Sequence, residues 1–208
     1  GRHWRCGHCG YPIRGGCLMA DPAYIVDGVL TDGEAWVAIA TAAPSSADVS
    51  FVSTDDGQVG DFSQYMDLVI IGYWQSAGAG TSHSVSMTFN NDTGGNYAVQ
   101  YFQGNGSSVL ASVYAASPNV PVAHLMQAGG GANTFSAGVV NIFDINSGKY
   151  KSVLPVGAAD WDGSGWVEMN ATTWKSQAPI TEIDLVTTSG FSAGTRIDLF
   201  GVLPRMVA

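Results

Sequence analysis

Short β-branched and aromatic runs alternate with clusters of Gly, Ser, Asn and Asp along most of the chain. The runs predict strands over residues 24–29, 35–40, 49–52, 66–74, 84–89, 97–103, 109–114, 122–126, 135–145, 150–156, 166–174, 180–187 and 196–202. No window carries a helical period, so the expected class is all-β, with many short antiparallel strands closing into a sandwich or barrel. In Val85-Ser86-Met87-Thr88-Phe89 apolar and hydroxylated positions alternate, which predicts one buried and one wet face. Val167-Glu168-Met169-Asn170 repeats the alternation and carries the same expectation, apolar side inward. The longer, more uniformly apolar run 135–145 predicts a central strand covered on both faces. Between Phe89 and Tyr97 the segment Asn90-Asn91-Asp92-Thr93-Gly94-Gly95-Asn96 is a hairpin signal, because these residues tolerate positive φ and bond their own backbone. Gly194 then opens a strand that buries Ile197 and Leu199.

Charge divides the chain. Arg2, Arg5 and Arg14 make residues 1–20 +3, while the remaining 188 residues hold 5 cations and 17 anions and sum to −12, for a net −9. All three cysteines, Cys6, Cys9 and Cys17, lie in the basic segment. The expected organisation is a Cys/His-rich anchoring segment over 1–20, an N-terminal arm or added strands over 21–65, and the sandwich over 66–208. An acidic body lacks the footprint of a nucleic-acid binder. No apolar stretch is long enough for a membrane span and no leader sequence is visible.

Cys6-Gly7-His8-Cys9-Gly10 has the form of a zinc knuckle. Its two-residue gap lets both thiolates reach one ion, Cys17 can add a third sulfur, and His3 is the better fourth ligand because His8 would have to fold back. Zinc would supply the folding energy that so short a segment lacks. A disulfide with one free thiol, or an intersubunit crosslink, is the competing reading. The match to a dithiol redox motif lacks its strand–helix context.

Residues 62–202 carry a further pattern: Tyr65-Met66-Asp67-Leu68-Val69-Ile70, the 87–97 hairpin, Trp174-Lys175-Ser176-Gln177-Ala178-Pro179-Ile180-Thr181-Glu182-Ile183, and Phe191-Ser192-Ala193-Gly194-Thr195-Arg196-Ile197-Asp198-Leu199-Phe200-Gly201-Val202. In order and spacing this resembles a loose group of tailed-bacteriophage virion proteins with a jelly-roll-like β-sandwich. The resemblance rests on turn chemistry and strand pattern. It implies a non-enzymatic capsid-decoration, head-fibre or tail-fibre protein on the particle surface. Its partners would be other virion proteins, and it would form a symmetric homo-oligomer such as a trimer.

Catalytic constellations are weak. Ser164 lacks a nucleophile-elbow frame. His83 lies in a Ser-rich loop, and His124 lies inside an apolar run, where a hydrogen-bonded core or interface histidine is the default. Asp160 and Asp162 could serve glycoside hydrolysis in principle, but a solvated turn is the simpler reading. Trp161, Trp166 and Trp174 cluster near those two carboxylates. Ordinary core and interface packing is the simpler reading, and the alternative makes Trp161 and Trp166 the sugar-stacking residues of a lectin-like module for a host surface glycan.

Overall fold

The computed structural model describes residues 25–26, 29–30, 36–45, 48–131 and 133–203. The chain divides into two compact units, residues 1–34 and 35–208. In the first, β1 (Ile25–Val26) and β2 (Val29–Leu30) form an antiparallel pair, Ile25 opposite Leu30 and Val26 opposite Val29. The run expected as one strand over 24–29 thus contributes to two short paired strands among the described residues. Cys6, Cys9, Cys17 and His3 lie outside the described residues.

The second unit is an all-β sandwich. Its strands are β3 (Trp36–Ala42), β4 (Val49–Val52), β5 (Asp67–Ser76), β6 (Ser82–Phe89), β7 (Tyr97–Gly104), β8 (Val109–Ser117), β9 (Val120–Gln127), β10 (Ser136–Phe143), β11 (Lys151–Asp160), β12 (Gly165–Trp174), β13 (Glu182–Val186) and β14 (Arg196–Val202). The larger sheet runs β3-β14-β5-β10-β11-β12-β7-β8, and the smaller one β4-β13-β6-β9. All pairs within each sheet are antiparallel. The sheets meet where the end of β5 runs parallel to the end of β9. Only two short 3₁₀ turns, Phe62–Gln64 and Ala128–Gly130, interrupt the strands among the described residues. No helix there is long and apolar enough to cross a membrane.

The pairing is nested: β3 with β14, β4 with β13, β5 with β10, and β6 with β9. The hairpins β7–β8 and β11–β12 are inserted into this scheme and extend the larger sheet beyond β10. The core lies between the sheets. Val85, Met87 and Phe89 from β6 and Ile183 and Leu185 from β13 face Leu68, Ile70, Val140, Ile142, Ile197 and Leu199 from the larger sheet, all fully or almost fully buried. The Trp74 ring lies over the cross-strand pair Gly72–Gly138. A Cβ at either position would come within 2.3 Å or 2.7 Å of the ring, so the indole fits only because both are glycine.

One open expectation is narrowed and two change. Of the two expectations for 21–65, an arm or added strands, β3 and β4 are added strands, pairing with β14 and β13, and the compact unit begins at Ala35. Strand β10 is covered on one face only, with Ala137, Val139 and Phe143 exposed. In β12 the expected sense is inverted. Glu168, Asn170 and Thr172 are buried, while Val167 and Met169 are 62% and 49% exposed. Alternation reports that two faces differ, but long-range packing decides which one lies inside.

Candidate functional site

The inverted strand forms the floor of a polar groove. Strand β9 crosses the inner face of the inserted hairpins, and Gly157 on β11 permits its close approach: a Cβ there would lie 2.5 Å from the Ala123 Cβ. Beyond β9, no strand of the smaller sheet among the described residues lies over the inner face of β12, β7 and β8. Its inward positions carry Glu168 opposite Gln103 and Asn170 opposite Tyr101, with Tyr114 from β8 alongside. His124 and Pro121 from β9 and Ser84 and Ser86 from β6 form the other wall. The recess holds about 380 Å³.

Its groups are ordered by mutual contacts. His124 Nδ1 lies 2.8 Å from Glu168 Oε2, with the carboxylate side chain buried and the imidazole a quarter exposed. The His124 ring stacks on Trp166, centroids 5.1 Å apart and planes 22° apart. Tyr101 and Tyr114 stack likewise, 5.7 Å and 16°. The hydrogen bond to Tyr101 holds the Tyr114 phenol above its ordinary value. Asn170 donates from Nδ2 to the Pro121 carbonyl at 2.8 Å, pinning β9 to β12.

A second recess of about 580 Å³ shares Ser84, Ser86 and Asn119 with the first. It lies on the outer face of the smaller sheet. Ser50 donates to Asp184 at 2.5 Å, Thr88 donates to the other Asp184 oxygen at 3.5 Å, and the His83 Nε2 meets the Thr188 hydroxyl at 2.5 Å. The joined trough is lined by hydroxyls, amides, aromatics and the carboxylates Asp48, Asp184 and Glu168, with neither lysine nor arginine among its described lining residues. Such a surface offers many hydrogen bonds and several ring faces to a neutral polyhydroxyl ligand, and repels an anionic one.

Of the residues singled out in the sequence, Trp166 reaches this groove through its stack on His124. Asp160, Trp161 and Asp162 sit in the β11–β12 turn. The Asp160 carboxylate accepts from the Gly163 N–H at 3.1 Å, Trp161 N–H donates to the Ser164 carbonyl, and Asp162 has φ +63°. The two carboxylates thus shape or border a turn. His124 is a hydrogen-bonded histidine, as its apolar run suggested, but its partner lies 44 residues away. Glu168, Asn170, Tyr101, Gln103 and Tyr114 were missed. The one usable signal was a carboxylate and an amide alternating with large apolar residues. Among the described residues no three His, Cys, Asp or Glu side chains converge to hold a metal ion.

The segment 89–97, expected as a hairpin, instead carries the chain from β6 in the smaller sheet to β7 in the larger one, since β6 pairs with β13 and β9 and β7 with β12 and β8. Its own side chains build the turn. Asn90 and Asn91 take φ +50° and +57°. Asp92 accepts from the Gly94 N–H, the Asn96 amide and the Trp174 indole. No family model, curated protein or solved structure matches the chain.

Proposed function

We propose that this chain is a non-enzymatic structural protein of a tailed-bacteriophage particle, a capsid- or head-decoration or fibre component that mediates particle assembly and stability. The observation that carries the reading is the nested pairing β3–β14, β4–β13, β5–β10 and β6–β9. That is the pairing order of a jelly roll, the two-Greek-key sandwich used by viral capsid and lectin domains. The resemblance of residues 62–202 to virion proteins adds the particle. Its two most distinctive segments fall on structural pivots of the sandwich, the β6–β7 turn and the closing strand β14. The Cys/His segment over 1–20 would be the anchor to neighbouring virion proteins, with zinc held by Cys6, Cys9, Cys17 and His3. Mass spectrometry and immunogold labelling of purified phage particles encoding this chain test the reading. Stoichiometric incorporation is expected, and particles lacking the chain would overturn it.

A second reading is favoured by the trough: a lectin-like module that holds a host surface glycan. The stacked pairs His124–Trp166 and Tyr101–Tyr114 and the cation-free lining support uncharged sugars over uronic or sialic acids. On an array of neutral and acidic bacterial saccharides, binding to neutral members is expected to fall about tenfold or more in Tyr101→Ala and Glu168→Gln. Selective binding of acidic members, or none at all, would remove this reading.

A further inference from the structure

The outward face of the extended sheet is apolar where a solvated sheet face is polar. One cross-strand row reads Ala111, Phe102, Met169, Val156, Val139 and Ile71 across six strands, β8 to β5. Phe102 and Met169 are each 49% exposed, and Val167 and Val113, in the neighbouring rows, are 62% and 64% exposed. Among the described residues, the outward positions of β8, β7, β12, β11 and β10 carry no charged side chain short of Asp160 at the strand end. Charge returns at β14, where Arg196 pairs with Asp198 at 2.9 Å.

The edge points the same way. Strand β8 is nine residues long, pairs only with β7 among the described strands, and is exposed on both faces. Its sequence Val-Leu-Ala-Ser-Val-Tyr-Ala-Ala-Ser has neither the charge nor the proline with which proteins protect a free edge.

We infer that this face and its β8 edge are the contact surface for a second copy of the same chain. Six strands at ~4.8 Å spacing and seven residues at ~3.3 Å rise give a patch of roughly 29 by 23 Å. That is roughly 650 Å² of flat area per copy, which side-chain relief raises toward the ~800 Å² per partner of a standard interface. The net charge of −9 makes approach through a charged face of two copies repulsive, whereas the carboxylates of this face, Asp160 and Asp67, lie only at strand ends. A basic partner would find carboxylates only at the rim, Asp160 and Asp67, and none across the middle of the face. Self-association also explains the inversion of β12: its apolar side faces the neighbouring copy, and its polar side faces the groove.

Sedimentation velocity of the full chain at about 1–100 µM tests this. The wild type is expected at a multiple of 21.7 kDa. The double variant Val167→Lys, Met169→Lys is expected at the single-chain mass, with an unchanged circular-dichroism spectrum. Ala171→Lys, at an exposed small residue of the same face, gives the same readout should the double variant fail to fold. A wild type that stays a monomer at the highest concentration overturns the assignment, as do folded variants that keep the assembly. A monomer whose Met169 resists peroxide oxidation also overturns it, because another part of the chain would then be the cover.

Discussion

The indole N–H of Trp174, the last residue of β12, donates to the Asp92 carboxylate at 2.7 Å and ties the β6–β7 turn to the inserted hairpin. Trp174 is 2% exposed, and its ring packs between Phe89 and Tyr97, at centroid distances of 5.4 and 6.4 Å. One carboxylate thus fixes a turn and satisfies a buried donor. Asp92→Ala leaves that donor unpaired, which costs about 1–3 kcal/mol. A fall in the urea midpoint without a change in slope is expected.

Acid sensitivity follows from the same group. Burial raises the Asp92 carboxyl, but hydrogen bonds from Trp174, Gly94 and Asn96 outweigh it and hold it below the ordinary carboxylate value. The hydrogen bond from Ser63 lowers Asp61, and that from Thr54 lowers Asp56. With folded values depressed, the unfolded chain binds more protons through this window. The stabilisation is therefore complete above the unfolded carboxylate value, about 3.9, and is lost as pH falls through the folded values. Urea midpoints measured from pH 6 to about 2 should fall, and Asp92→Asn should flatten part of that fall.

Alkali acts with the opposite sign on Tyr97. Burial pushes its phenol up to about 12, although it accepts a hydrogen bond from the Phe89 N–H. The folded chain holds the proton longer than the unfolded chain, so this contribution is whole below pH 10 and is lost as pH rises through about 12. Stability of the wild type should drop across that interval, and Tyr97→Phe should show a smaller drop.

Close approach of β9 to β11 depends on Gly157. A larger residue there must displace Ala123 and the strand that carries His124. Gly157→Val should cost about 1–3 kcal/mol by overpacking. Thermal melting checks the stability, and loss of any saccharide binding in the same variant would link groove geometry to this packing.

Plasma mass spectrometry on the purified chain addresses the basic segment. About one zinc per chain is expected, lost in Cys6→Ser with Cys9→Ser, whereas less than about 0.2 equivalents would leave a disulfide as the better account of the cysteines.

The strand pattern was readable because local rules governed it. Val85, Met87 and Phe89 are buried as their alternation predicts, and so are Ile197 and Leu199 after Gly194. The Asn- and Asp-rich segment is a tight turn held by short-range bonds, as its composition predicts, but the strands it joins pair in different sheets, so the turn chemistry was legible and the hairpin was not. What local pattern could not show was long-range pairing. Local pattern does not choose between an arm and added strands for β3 and β4, because their partners, β14 and β13, lie more than 100 residues away. The groove stayed hidden for the same reason: Glu168 meets His124 across two strands from different parts of the chain. Val167 and Met169 follow an alternation that marks two different faces, yet lie on the exposed one, because alternation does not say which face the rest of the chain covers.

The central claim is that this sandwich works as a building block held to its neighbours by an uncharged sheet face. An electron-microscopy map of the native assembly tests it most directly. The account predicts Phe102, Met169 and Val167 buried against another copy of the chain, with the trough of His124 and Glu168 open to solvent. A map in which that sheet face is bathed in solvent on every copy would contradict it.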